Sequence, residues 1–209
     1  LLSFTKDPVP AGYEARRPPA PEPVRVVGEA GRLFRELQCL RCHSLGGAGT
    51  NIGPDLSQVG SRVRTDWLAG YLKDPKVLRP VLKARMPRLG LTDREAKVLA
   101  DYTATVLVAD DDDGRSERPR TLSVEDTATA RRLFGRRYGC QTCHQLGGRG
   151  GRVGPDLTAV RQRLRRPWLI RYLKDPRSVV PDVRMPNFGL PDGEAELLAD
   201  YLLTINLDI

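Results

Sequence analysis

Histidine is almost absent from this chain. The 209 residues hold two histidines, two methionines, two tryptophans and four cysteines. No apolar run approaches the roughly 20 residues a membrane-spanning helix needs. The strict apolar–polar alternation of strands is missing, so no βαβ setting for a thioredoxin-like dithiol is in view. Nor is there a helix-turn-helix signal, an aromatic stacking platform or a finger spacing. The net charge of +8 therefore does not amount to a nucleic-acid-binding signature. The chain starts at Leu1 without Met, and no basic stretch precedes an apolar core as in a signal peptide. The apolar start "LLSF" points to a piece cut downstream of a targeting segment or, preferably, of a membrane anchor.

What the chain does have, it has twice. "CLRCH" at Cys39–His43 recurs as "CQTCH" at Cys140–His144. With an offset of 101 residues, "GPDL" at Gly53–Leu56, Trp67 and "YLKDP" at Tyr71–Pro75 fall on Gly154–Leu157, Trp168 and Tyr172–Pro176. With an offset of 99, "RMP" at Arg85–Pro87 and "LADY" at Leu99–Tyr102 fall on Arg184–Pro186 and Leu198–Tyr201. This is a tandem of one small domain. The expected organisation is a Pro-rich extended segment over 1–23, a domain over 24–109, an acidic linker over 110–120 and a second domain over 121–209. Charge follows these boundaries. The first segment is neutral, the first domain carries 14 basic and 8 acidic residues, the linker 3 and 5, and the second domain 14 and 10. A basic surface of this kind favours an acidic partner.

Each copy reads as all-α. Val26, Ala30, Leu33, Phe34 and Leu37 share one helical face, as do Ala130, Leu133, Phe134 and Tyr138. Trp67, Leu68, Tyr71 and Leu72 mark a middle helix that Pro75 ends, and Pro167 suits the first turn of its counterpart. Thr92 and Glu95 form a capping-box pattern before a last helix with Val98, Leu99, Tyr102 and Val106 inward. Leu197, Leu198, Tyr201 and Ile205 repeat that face. From Phe34 to Cys39 is five residues, but from Phe134 to Cys140 it is six, so one helix end must differ locally. A core of about 85 residues built from short helices is thin and would gain from an internal apolar ligand.

Cys-x-x-Cys can ligate zinc, cycle as a dithiol or carry a covalent haem. A four-thiolate zinc site shared by both copies leaves the adjacent histidines and the methionines without a role. A disulfide between such near neighbours closes too short a loop to constrain much. Haem uses every member: both thiols of one turn add to the two vinyl groups, and the next residue sets an imidazole under the iron. The expected attachment sites are Cys39, Cys42, Cys140 and Cys143, with His43 and His144 as proximal ligands. Both methionines of the chain stand in "RMP", Met86 lying 43 residues after His43 and Met185 lying 41 after His144. A thioether is a good sixth ligand, and bis-His ligation is closed to a chain with two histidines. The carbonyls of Pro54 and Pro155 can accept from the imidazole N–H. The glycine clusters at 46–49 and 147–151 follow no strand and fit no phosphate-binding spacing, so they read as loop.

With "CLRCH", "CQTCH", two "GPDL", two "RMP" and an aromatic in each last helix, the chain resembles tandem, dihaem class I c-type cytochromes over nearly 85% of its length. It is similar in layout to the c4 type and to dihaem cytochrome subunits of respiratory complexes. The resemblance implies two all-α domains, each of three to four short helices around one covalent haem c, attached in the periplasm. It also implies a crossing of first and last helices, Ala30 with Phe34 and Ala130 with Phe134 facing Tyr102 and Tyr201. Trp67, Tyr71, Trp168 and Tyr172 are expected to pack on the haems and keep water from the iron. The function implied is one-electron transfer between donor and acceptor proteins with acidic docking surfaces, at the outer face of the cytoplasmic membrane or within a membrane complex. The basic run Arg161–Arg166 is a docking-patch expectation. The alternative is a dihaem peroxidase-like enzyme, which needs one displaceable sixth ligand.

Overall fold

The computed structural model describes residues 26–78, 86–109, 118–181 and 183–205. The expected Pro-rich segment, and with it the chain start, lies outside these residues, as does most of the linker.

The first domain runs α1 (Gly28–Glu36), a 3₁₀ turn (Cys39–Arg41), a two-residue hairpin of β1 (Ser44–Leu45) and β2 (Ala48–Gly49), α2 (Val59–Arg62), α3 (Thr65–Lys73) and α4 (Asp93–Val106). The second repeats it as α5 (Val124–Arg132), a π-turn (Leu133–Arg137), a 3₁₀ turn (Cys140–Thr142), β3 (Gln145–Leu146) with β4 (Arg149–Gly150), α6 (Val160–Arg163), α7 (Arg166–Lys174), α8 (Pro176–Val179) and α9 (Asp192–Thr204). The architecture is all-α. The glycine clusters are not mere loop, however. Gly46 and Gly47 (φ 55° and 79°) and Gly147 and Gly148 (58° and 74°) turn two tiny hairpins, because two successive positive-φ residues match the twist of paired strands.

In each domain the first and last helices cross. Ala30 and Ala130 are buried at the crossing. The Phe34 and Tyr102 rings meet edge-on at 6.3 Å, and Phe134 and Tyr201 meet at 6.1 Å. The Thr92–Glu95 capping box forms, with Thr92 N–H donating to Glu95 at 2.9 Å. Along α4 the buried stripe is Ala96, Leu99, Ala100 and Thr103, continued by Leu107. Val106, expected inward, is 48% exposed. The 3.6-residue period carries the stripe past it onto Thr103 and Leu107. An ion pair joins the middle and last helices of each copy at equivalent positions, Lys73 to Asp93 and Lys174 to Asp192.

The extra residue between Phe134 and Cys140 is absorbed by the π-turn, a one-residue insertion into a helix. Both routes then reach the same left-handed residue before the first cysteine. It is Gly139 (φ 59°) in the second domain but Gln38 (φ 54°) in the first.

The domains meet through equivalent residues. Val63 bridges Leu164, its own counterpart in the repeat. Arg64 N–H donates to the Arg163 carbonyl at 2.9 Å, and Arg165 N–H donates to the Arg62 carbonyl at 3.0 Å. Helix α2 packs on α7, and α3 on α6. Each contact thus occurs twice about a local two-fold axis, as in an isologous dimer. Val63 and Leu68 of the first domain belong to the same apolar cluster as the core of the second.

Candidate functional site

Each Cys-x-x-Cys-His segment is a tight turn closed by a bond from the histidine amide to the carbonyl of the first cysteine, 3.0 Å in both copies. The four thiols are free. Cys42 and Cys143 are exposed, whereas Cys39 and Cys140 are half-buried. Burial pushes the Cys39 thiol up and the Cys140 thiol up to about 11. A redox dithiol or zinc site is served by the opposite shift. Among the described residues no three of His, Cys, Asp and Glu gather as a metal site, so the two cysteine pairs do not form one four-thiolate cluster.

The imidazoles are held from one side. His43 Nδ1 lies 2.7 Å from the Pro54 carbonyl, and His144 Nδ1 lies 2.8 Å from the Pro155 carbonyl. A carbonyl only accepts, so Nδ1 carries the proton and donates, and the Nε2 lone pair is left for a metal. The glycine of "GPDL" permits this. A Cβ on Gly53 would sit 2.6 Å from His43 Cε1, and one on Gly154 would sit 2.5 Å from His144 Cε1. The loop is fastened behind the ring. Gly53 N–H donates to the Cys42 carbonyl at 2.5 Å and Gly154 N–H to the Cys143 carbonyl at 2.7 Å. Ser44 Oγ donates to Asp55 at 2.5 Å, and Ser57 N–H donates to the same carboxylate at 2.8 Å. Burial pushes the Asp55 carboxyl up, but the hydrogen bonds from Ser44 and Ser57 outweigh it and hold the group below the usual range. In the second domain Thr158 N–H donates to Asp156 at 2.8 Å.

The aromatic residues singled out in the sequence come together in pairs. Trp67 stacks on Tyr71 at 4.8 Å between centroids, and Trp168 on Tyr172 at 4.7 Å. Met185, Cys140 and Tyr172 all pack against the cluster that contains Trp168. Met86 is half-buried, next to a segment outside the described residues. Of the Arg161–Arg166 run, only Arg161 and Gln162 are exposed. Arg163 and Leu164 are buried, and Arg166 is paired with the buried Asp200 at 2.6 Å. The run makes the seam between the domains, because its backbone bridges to Val63 and its neighbours.

Gly53 and Gly154 are site residues that sequence reasoning passed over, along with Asp55 and Ser44. The signal was present in the repeated "GPDL", but a glycine's reason is a distance to a ring, which a repeat does not reveal. The donor set fits haem c. Two free thiols lie on one turn, and the adjoining imidazole is oriented with its outer nitrogen unprotonated. In the second domain the methionine packs on the same apolar cluster as the first cysteine.

The comparisons agree with this chemistry. The family described as "Cytochrome c" matches residues 28–106. The family described as "Cytochrome C oxidase, cbb3-type, subunit III" matches residues 125–202. A protein of Alkalihalophilus pseudofirmus named "Cytochrome c oxidase subunit 2" is 33% identical over 75 residues, 35% of this chain. The chain spans only 21% of that relative's length. Cytochrome c domains are electron-transfer domains, and this chain is a tandem of two of them, a member of the class I c-type cytochromes.

Proposed function

We propose that the protein passes single electrons between two protein partners through two covalent haem c groups, one per domain. The observation that carries this reading is the doubled histidine geometry, Nδ1–H to a proline carbonyl at 2.7 and 2.8 Å with a free thiol pair on the preceding turn. Haem supplies a one-electron iron couple at each site. The chain does the rest. Cys39, Cys42, Cys140 and Cys143 would attach the group; His43 and His144 would offer Nε2 to the iron, and Met86 and Met185 would offer thioether sulfur. Pro54 and Pro155 hold the imidazoles against rotation, and the Trp–Tyr pairs keep the clefts apolar. With an imidazole and a thioether of each domain serving as ligands, no substrate would need to bind.

An acidic partner suits the second domain's exposed face. Its loop carries exposed Arg149 and Arg152 beside Val153, which is 73% exposed, where the first domain has Ala48, Asn51 and Ile52. Such charge speeds encounter, so transfer rates should fall with added salt. The place of work would be the periplasm or outer face of the membrane, beside or within a respiratory or photosynthetic complex. The family description and the oxidase-subunit relative support that setting. No helix among the described residues is long and apolar enough to cross a membrane.

The test is an optical and EPR spectrum of protein matured with c-type haem, with a redox titration on the same sample. Two low-spin haems per chain with the weak far-red ferric band of methionine ligation are expected. A high-spin or five-coordinate haem would overturn the carrier reading for that domain and direct attention to peroxide chemistry.

A further inference from the structure

The aromatic pair of each domain does not stand alone at the seam. Arg62, on α2 of the first domain, places its guanidinium 4.9 Å from the centroid of the Trp168 ring in the second. Its counterpart Arg163 is buried on α6, which packs against α3, the helix that carries Trp67 and Tyr71. The Tyr71 hydroxyl is pushed up by burial, and the Arg163 charge opposes that shift. Arg62 is therefore set against the aromatic wall of the other copy, and Arg163 is buried on the helix that packs against the one carrying Trp67 and Tyr71. The two backbone bonds about the Val63–Leu164 bridge hold them there.

We propose that each domain supplies a fixed positive charge to the cofactor cleft of the other, Arg62 to the cleft walled by Trp168 and Tyr172 and Arg163 to the cleft walled by Trp67 and Tyr71. This rests on the haem reading above. A guanidinium over an indole face is held by cation–π attraction, and its field is screened less than that of a fully exposed charge. Positive charge disfavours the ferric state, which carries one more positive charge than the ferrous, so it raises the reduction potential. The two sites are then tuned across the seam, and the docked arrangement of the domains is part of each potential.

The experiment is a spectroelectrochemical titration of the holoprotein, with each wave assigned beforehand. Met86→His and Met185→His serve that purpose, since bis-His ligation lowers the potential of the haem in its own domain. Arg62→Gln is expected to lower only the second domain's wave. The ferrous-to-ferric ratio at the wild-type midpoint should fall about three- to tenfold, roughly 30 to 59 mV for a one-electron couple. Arg163→Gln should lower only the first domain's wave. Arg62→Lys keeps the charge and should hold the wave close to its wild-type position. A shift of the haem in the substituted residue's own domain would overturn the proposal. So would flat waves in a protein with two intact low-spin haems. Arg62 is only half-buried, so its arm decides the matter even if the Arg163 variant fails to fold. A chain that matures without two covalent haems refutes the electron-carrier reading instead, and the haem content of the same sample tells the two failures apart.

Discussion

The two domains share about the same length and the same motif order, and they agree most closely around the histidines and along the middle helix. The imidazole bond, the turn bond to the first cysteine, the glycine against the ring and the stacked Trp–Tyr pair recur with distances that differ by 0.1 Å or less. Elsewhere each copy has its own solution. The first enters the cysteine turn through Gln38 and caps its last helix with Thr92; the second uses a π-turn, Gly139 and an uncapped Pro191. The second also holds the largely buried pair Arg166–Asp200, where the first has Thr65 and a half-exposed Asp101. Geometry is repeated where a ligand must be held, and is free to drift where only a helix must end.

The strongest way to break that comparison is at the repeated glycines. Alanine at Gly53 would drive its Cβ into the His43 ring, and alanine at Gly154 would do the same to His144. The obstacle is the ring itself, held at Nδ1 by a carbonyl, so neither can yield cheaply. Each variant should lose the low-spin, methionine-ligated signature of its own domain and keep the other's, halving the far-red ferric band. If one domain tolerates alanine, the sites are not equivalent.

The next effect should fall on one domain alone. Asp200 is 1% exposed, accepts from Arg166 at 2.6 and 3.0 Å and from the Arg120 amide at 3.1 Å, and so pins the segment that enters the second domain. Its counterpart Asp101 is half-exposed and, among the described residues, pairs with Lys97 along the helix. Asp200→Ala strands a largely buried arginine and should cost about 3–5 kcal/mol. Asp101→Ala should cost less than about 0.5 kcal/mol. Denaturant unfolding of the holoprotein separates them, and equal costs would remove the asymmetry.

How much of this the sequence showed depends on the kind of signal. The helices were legible because an apolar face repeats every 3.6 residues, and the unequal Phe–Cys spacing announced the π-turn region before its form was known. Val106 was misplaced because a valine on a helix reads as core until the stripe's drift is followed onto Thr103 and Leu107. The seam was not legible. Its residues are mainly arginines, and an arginine run looks solvated in one dimension. The neighbours that bury it come from the other copy a hundred residues away. The glycine against each histidine was visible as a repeat but not as a reason.

The left-handed residue before the first cysteine gives a smaller, paired test. An L side chain there costs roughly 1–2 kcal/mol that glycine avoids. Gly139→Gln should destabilise the second domain by about that amount. Gln38→Gly should stabilise the first by about 1 kcal/mol, less the extra freedom glycine gives the unfolded chain. Thermal unfolding of both holoproteins should show shifts of opposite sign; shifts of the same sign would mean the two turns are not interchangeable.

The smallest effects concern the last helix. Thr92→Ala removes a complete capping box and should cost about 1 kcal/mol. The reverse graft looks simple, because Pro191 stands at the matching position with Glu194 already three residues on. Pro191→Thr would spell the same box. But Glu194 is committed: the Tyr138 hydroxyl donates to it at 2.5 Å, and Arg137 lies 3.8 Å away. Only half the box can form unless Tyr138 is released, and the lost proline frees the unfolded chain. The expected gain is therefore close to zero, within about 0.5 kcal/mol, against the full loss in the first domain. Combining Pro191→Thr with Tyr138→Phe should recover part of the missing gain by freeing the carboxylate. If it does not, the two helix starts differ by more than their caps.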